Sequence, residues 1–177
     1  KKVKDATAYV CGLGFYEFSL NGEKVGDSEF APLWSDYDKS VYYNTYDVTS
    51  QVKKGGNAIG VLLGNGFYNV QGGRYRKLQI SFGAPTLRFR MVVNYEDGTS
   101  ETIVSGKDWK YDFSPVLFNC IYGGEDYDAR REQKGWNMFG FKEQDWHPVV
   151  IQEAPKGVLR PQIAQPVKIM ERYDTVS

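Results

Sequence analysis

An all-β fold, an antiparallel β-sandwich or jelly roll with little helix, is what this sequence predicts. Three observations carry it. Apolar and polar residues alternate with a period of two in several short runs, as Tyr16, Phe18 and Leu20 do against Glu17 and Ser19. The dipeptides Asn21-Gly22 and Asp97-Gly98, which favour two-residue hairpin turns, stand between such runs. Aromatic residues make up 15% of the 177 and there are 19 glycines, the mixture expected of short strands joined by tight turns.

Taken in chain order, residues 6–11 and 15–20 read as strands punctuated by Gly12 and Gly14. Asn21-Gly22 turns the chain into residues 24–28. Residues 41–47 form a Tyr-rich strand. Thr49 reads as the cap of a short helical turn that Gly55 ends. Residues 57–63 are largely apolar, which predicts a central strand covered on both faces. Residues 65–85 are irregular and read either as a functional loop or as a plain surface loop. Leu87, Phe89, Met91, Val93 and Tyr95 alternate with Arg88, Arg90 and Asn94, a half-buried strand that Asp97-Gly98 folds back onto residues 99–104. Residues 108–113 and 116–121 are further short strands, 123–146 are loop-rich, and 149–151 and 167–169 read as closing strands. Pro155, Pro161 and Pro166 mark an exit. The expected organisation is one domain over residues 1–160, with 161–177 as an exit linker or closing strand toward further domains.

Composition narrows the function classes. Lys plus Arg and Asp plus Glu are 22 each, so no net field steers the chain to nucleic acid or an anionic membrane. No apolar run reaches the roughly 18 residues of a membrane-spanning helix. A single histidine, His147, leaves little room for a zinc site or a Ser-His-Asp triad. Cys11 and Cys120 lie in strand-like runs, where bridge geometry is restrictive, and are expected as free thiols. The start at Lys1-Lys2-Val3-Lys4 reads as a fragment or processed product. The compartment stays open, a periplasmic or secreted setting being preferred to a cytoplasmic one.

An ordered set of phrases resembles one family. These are residues 12–17 (GLGFYE), 20–27 (LNGEKVGD), 32–37 (PLWSDY), 46–49 (YDVT), 56–68 (GNAIGVLLGNGFY), 122–130 (YGGEDYDAR) and Gly135-Trp136, then Phe141, Asp145 and Trp146. They are similar to the N-terminal β-sandwich domain of bacterial α-L-rhamnosidases, glycoside hydrolase family 78. The resemblance implies a galactose-binding-domain-like sandwich in a multidomain glycosidase. The inverting hydrolysis of terminal α-L-rhamnosides then belongs to an (α/α)₆ barrel further along the parent chain. The run 130–136 faintly echoes an acidic motif of that barrel, yet it follows the ordinary phrase of the N-terminal domain, so no catalytic residue is assigned. The resemblance also implies two kinds of partner, an L-rhamnose-containing carbohydrate and the other domains of the parent enzyme. The expected role is carbohydrate recognition, structural support of the barrel, or both. The alternative is a purely structural domain that binds no sugar.

Sugar sites combine an aromatic platform with planar polar groups, and calcium sites gather oxygen ligands. The candidates are Trp34, Asp36, Asn65, Tyr68, Arg74 and Arg76, with the ligand surface at the loop end formed by residues 34–37 and 65–76. Each has a plainer reading. Trp34 is either a stacking platform or a core ring, Asp36 a ligand or a turn cap, and Asn65 a ligand or a left-handed turn residue. Calcium, with Asp36 as its candidate ligand, is allowed but not required. Calcium itself enters only through the resemblance, which implies a small amide in a binding-competent member where Tyr37 stands here. Glu125, Asp126 and Asp128 read as a carboxylate pair or, more plainly, as solvated charges or braces to Arg130 or Arg131, and Arg88 and Arg90 as surface partners of Glu101 rather than a phosphate patch. Trp136, Phe141 and Trp146 read as packing on the back of the sandwich.

Overall fold

The computed structural model describes residues 1–175 apart from 73 and 75–77. Sixteen strands follow in order: β1 (Val3–Leu13), β2 (Phe15–Leu20), β3 (Glu23–Lys24), β4 (Ser28–Glu29), β5 (Ser40–Asp47), β6 (Ile59–Gly64), β7 (Asn69–Val70), β8 (Ile80–Ser81), β9 (Thr86–Tyr95), β10 (Ser100–Val104), β11 (Lys110–Tyr111), β12 (Val116–Cys120), β13 (Gly124–Tyr127), β14 (His147–Pro148), β15 (Val158–Pro161) and β16 (Val167–Lys168). One 3₁₀ turn, Ala129–Arg131, is capped by Asp128.

Two sheets make the sandwich. The larger has the order β10-β9-β1-β5-β15 and the smaller β3-β2-β6. Among the described residues all strand pairings are antiparallel except that of β15 with β5. The chain passes from β1 to β2 at Gly14 alone, whose φ is +103° and whose Cβ would fall 2.2 Å from the Gly64 carbonyl. Only glycine fits this corner. Asn21 and Gly22 both have positive φ, +56° and +89°. They make the primed turn that pairs Leu20 with Glu23.

The core lies between the sheets. Ala6, Ala8 and Val10 of β1 and Phe89, Met91 and Val93 of β9 face Tyr16, Phe18 and Leu20 of β2. The rings of Phe18 and Phe89 meet at 5.3 Å. The Tyr16 hydroxyl, carried into this core, donates to Asn44 Oδ1 at 3.0 Å and lies 2.9 Å from the Tyr46 hydroxyl. Asn21 ties the hairpin down: its Nδ2 donates to the Gln51 carbonyl and Asn57 Oδ1, and its Oδ1 accepts from Ala58 N–H.

Several expectations need correction. β6 is an edge strand, with Ile59, Val61 and Leu63 on the core and Leu62 exposed. Its outer face is covered locally: a Cβ on Gly60 would strike Asn137, Trp136 and Ser19 within 3 Å, and one on Gly56 would strike Phe139. Ser19, which alternation turns to this outer face, is buried beneath the cover, donating to the Gly60 carbonyl and accepting from Asn137 Nδ2. Trp136, Trp146 and Phe141 associate here, with ring separations of 6.4 and 5.8 Å, and Trp146 Nε1 donates to Gln133 Oε1. Residues 49–51 form only a turn, and the capping group is Asp47, whose Oδ1 accepts from the Thr49 backbone and hydroxyl. The loop-rich 123–146 contains β13, and the closing strand falls at 147–148 rather than 149–151. Arg88 and Arg90 do not pair with Glu101. Glu101 stands opposite Val93, on the sheet face that the alternate Arg88 and Arg90 leave, and accepts from the Tyr95 hydroxyl.

Cys11 and Cys120 are both buried free thiols. Burial pushes the Cys11 thiol up to about 11, against a smaller lowering by Arg88. The thiolate is the reactive form, so Cys11 should resist alkylation at pH 8 in the native chain and react once guanidinium unfolds it; rapid native labelling followed by mass spectrometry would contradict this. Phe18→Ala, which empties the centre of the inter-sheet core, should lower stability by about 3–5 kcal/mol, read as an earlier but still cooperative denaturation midpoint.

Candidate functional site

The loop-end site begins with the passage from β4 to β5. Phe30 takes a left-handed backbone conformation, φ +53°, which costs a bulky residue about 1–3 kcal/mol. The strain is held by Ala31, whose carbonyl accepts from Tyr16 N–H at 2.7 Å. Phe30 is thereby turned outward, 63% exposed, with its ring 5.4 Å from that of Phe15. Residues 34–37 then cross the same end. Asp36 starts a turn: its carbonyl accepts from the backbone of Lys39 and Ser40.

The 65–68 turn meets this segment. Phe67 stacks on Trp34 with centroids 4.9 Å apart and planes 14° off parallel, and it meets Phe15 and Tyr122 edge-on. Beneath, the Tyr37 ring packs edge-to-face on Tyr68 at 4.9 Å and on Phe82 at 5.1 Å. The segments 34–37 and 65–68 therefore do come together. Beside the first of them, Trp34, Ser35 and Asp36 line a shallow hollow of about 410 Å³ together with Phe82.

The candidates divide within this cluster. Trp34 is not a core ring: it is 55% exposed, with one face covered by Phe67. Asp36 is a turn residue whose Oδ2 lies 2.9 Å from Lys39 Nζ; the hydrogen bond from Lys39 holds its carboxyl below the usual range. Asn65 is not left-handed; it is a bracket. Its N–H donates to Asn119 Oδ1, its Nδ2 to the Asn119 carbonyl, and its Oδ1 accepts from Asn69 Nδ2. Tyr68 is buried and donates to the Phe82 carbonyl. Burial also pushes the Tyr37 phenol up to about 12. Arg74 Nη2 donates to both carboxylate oxygens of Asp126, at 2.6 and 2.5 Å, and the guanidinium lies 4.9 Å over the Phe118 ring. The acidic group is thus split, since Asp128 is taken by Arg130 at 2.8 Å. Arg76 lies outside the described residues.

The donor set around Asp36 does not fit calcium. It offers one carboxylate held by Lys39, beside a buried Tyr37 ring, where calcium takes six to eight oxygens. Among the described residues no group of three or more His, Cys, Asp or Glu is arranged to hold a metal ion.

Sequence reasoning passed over Phe30 and Tyr122 and took Phe67 only as part of the 65–76 loop; these three rings complete the cluster. The signal available was ring density, since a positive φ at Phe30 is not readable from residue type.

Comparison with known proteins covers the whole of this geometry. The family model described as the α-L-rhamnosidase N-terminal domain matches residues 1–171. A Formosa agariphila α-L-rhamnosidase is 44% identical over 82% of this chain and 16% of its own length. The structure of an α-L-rhamnosidase from Dictyoglumus thermophilum superposes with a TM-score of 0.88 at 42% identity, covering 97% of this chain and 18% of that one. A Streptomyces avermitilis α-L-rhamnosidase, crystallised in complex with L-rhamnose, gives 0.88 at 40%, over 97% and 17%. The chain therefore spans less than a fifth of the length of these relatives.

Asn65→Ala removes partners from Asn119 and Asn69 at once. It should lower stability by about 1–3 kcal/mol, measured by chemical denaturation. An unchanged midpoint would mean that the amide is not a bracket.

Proposed function

The chain belongs to the α-L-rhamnosidase N-terminal domain family, and we propose that within it this chain is a non-catalytic module that seats against the remainder of an α-L-rhamnosidase. One observation carries the reading. Large apolar side chains lie exposed in unusual number in the last forty residues, among them Met138, Phe139, Val150, Ile151, Ile163 and Met170, with Ile163 91% exposed. Such exposure in a folded chain marks a surface that something covers. Its relatives run five to six times longer, which supplies the cover. β16 and the segment after it add Val167, Ile169 and Tyr173 to these exposed side chains, and the strand is held by the pairing of Val167 with Glu29 and by the Lys168–Asp27 ion pair at 2.8 Å. Of the acidic group at 125–128, Asp126 and Asp128 are each bound by an arginine, so neither stands free as the acid or the base that glycosidic hydrolysis uses.

A second reading, favoured by the exposed Trp34 ring backed by Phe67, is recognition of one L-rhamnose unit over that ring. Trp34 supplies the apolar platform, and Ser35 and Asp36 border it with hydroxyl-binding groups. Calcium has no part in this reading.

Mixed with the remainder of a family α-L-rhamnosidase that lacks the matched segment, the chain should co-elute on gel filtration and raise the melting temperature of that remainder; separate elution with an unshifted melt would sink the docking role. Alone, it should release no aryl alcohol from an aryl α-L-rhamnoside. Titration with L-rhamnose should give a Kd on the order of 1 mM, about 4 kcal/mol, unaffected by calcium and lost in Trp34→Ala; binding indifferent to that substitution would remove the second reading.

A further inference from the structure

The outer face of the large sheet carries groups that neither the docking surface nor the loop end uses. Ala6, Ala8 and Val10 are fully buried, so alternation turns Thr7, Tyr9 and Cys11 of β1 outward. The register sets Thr45 of β5 and Arg90 of β9 on either side of Tyr9, and Arg88 beside Cys11. Paired residues share a face, so Thr45, Tyr9 and Arg90 form a row across three strands, continued by Val104 of β10. The Tyr9 and Tyr43 rings meet at 6.1 Å. One end of this face is roofed where Cys11, Leu13 and Val41 pack with Tyr37 and Tyr68. At the row itself Tyr9, Thr45, Arg90 and Val104 are all exposed.

Arg88 and Arg90 are also exposed, and among the described residues neither makes an ion pair. The carboxylates of this face are already engaged. Asp5 Oδ1 accepts from Asn94 Nδ2 at 2.6 Å, and Asp47 Oδ1 accepts twice from Thr49. Two residues along a strand span about 6.8 Å, so both guanidinium groups reach one anion or two neighbouring sugar units.

We infer that this open face binds a carboxylate-bearing saccharide, a hexuronic acid within a glycan chain. Arg88 and Arg90 hold the carboxylate, Tyr9 supports the sugar ring, and Thr45 offers a hydroxyl. The planar guanidinium fork matches a planar carboxylate, and the tyrosine gives an apolar body with a polar tip. That the anion is a saccharide rests on the reading of the chain as part of a glycan-degrading enzyme.

The test is calorimetric titration of the purified chain with tetragalacturonate at low salt, beside its fully methyl-esterified form and a sulfated tetrasaccharide. The acid form should bind, more weakly as salt rises, and the ester should not. Arg88→Ala and Arg90→Ala should each weaken binding about tenfold, the loss of one charge-assisted contact, and Tyr9→Ala severalfold. Lys54→Ala, which removes an exposed charge elsewhere, should leave it unchanged. All these side chains are exposed, and circular dichroism checks that each variant is folded. Absence of binding, equal binding of the ester, a preference for the sulfated sugar, or indifference to both arginine substitutions would each overturn the assignment. A chain that docks in the mixing experiment but ignores uronate fails here alone, and one that binds uronate without docking fails there alone.

Discussion

The smaller sheet is only three strands wide, and much of the molecule follows from that constraint. A sheet so narrow is stable only when its faces are covered. One face of β3-β2-β6 is covered by the larger sheet through Phe18 and Phe89. The other is covered by the segment around Trp136–Phe139, which lies so close that glycine is required at 56 and 60. Ser19 and Asn137 resolve the polar consequence of this second cover, since each would otherwise lack a partner beneath the rings. The irregular stretch after β13 is thus a structural layer, and its sequence looks like loop because its backbone makes turns while its side chains do the packing.

The same tight geometry places the loop end. Gly14 carries the chain from one sheet to the other within a single residue. It brings the start of β2 against the end of β6, so Phe15, Phe67 and Trp34 converge without any long excursion of the chain. Internal bonds at Asn65, Tyr68 and Arg74 then fix the support under these rings. The site consists of an exposed platform on a rigid base, and most of the polar residues near it serve the base.

Local signals were legible in the sequence and long-range ones were not. Asn21-Gly22 and Asp97-Gly98 announced their hairpins because turn chemistry is decided within four residues, and the alternation of β9 announced its buried face. The apolar run of β6 misled, because an edge strand covered by a passing segment has the same composition as a central one. β13 was invisible: Gly124-Glu125-Asp126-Tyr127 has no apolar face, and it pairs with β12 where Asp126 takes Arg74 from a distant loop. Candidate residues chosen for their chemistry divided in the same way. Amide and guanidinium groups serve structure as readily as ligands, and only the partners of Asn65 and Arg74 tell which. Trp34 was the exception, distinguished by exposure rather than by type.

The parallel pairing of β15 with β5 has a consequence in time. Val158 lies beside Ser40 and Pro161 beside Tyr43, partners separated by on the order of a hundred residues. During synthesis at roughly 5–20 residues per second, β5 therefore waits on the order of ten seconds with one backbone edge unpaired, while β1 already occupies the other. The Tyr-rich stretch 42–43 is the part of the nascent chain most open to pairing with a neighbour in that interval. Translation speed through the proline-bearing region ahead of β15 then governs how long that exposure lasts.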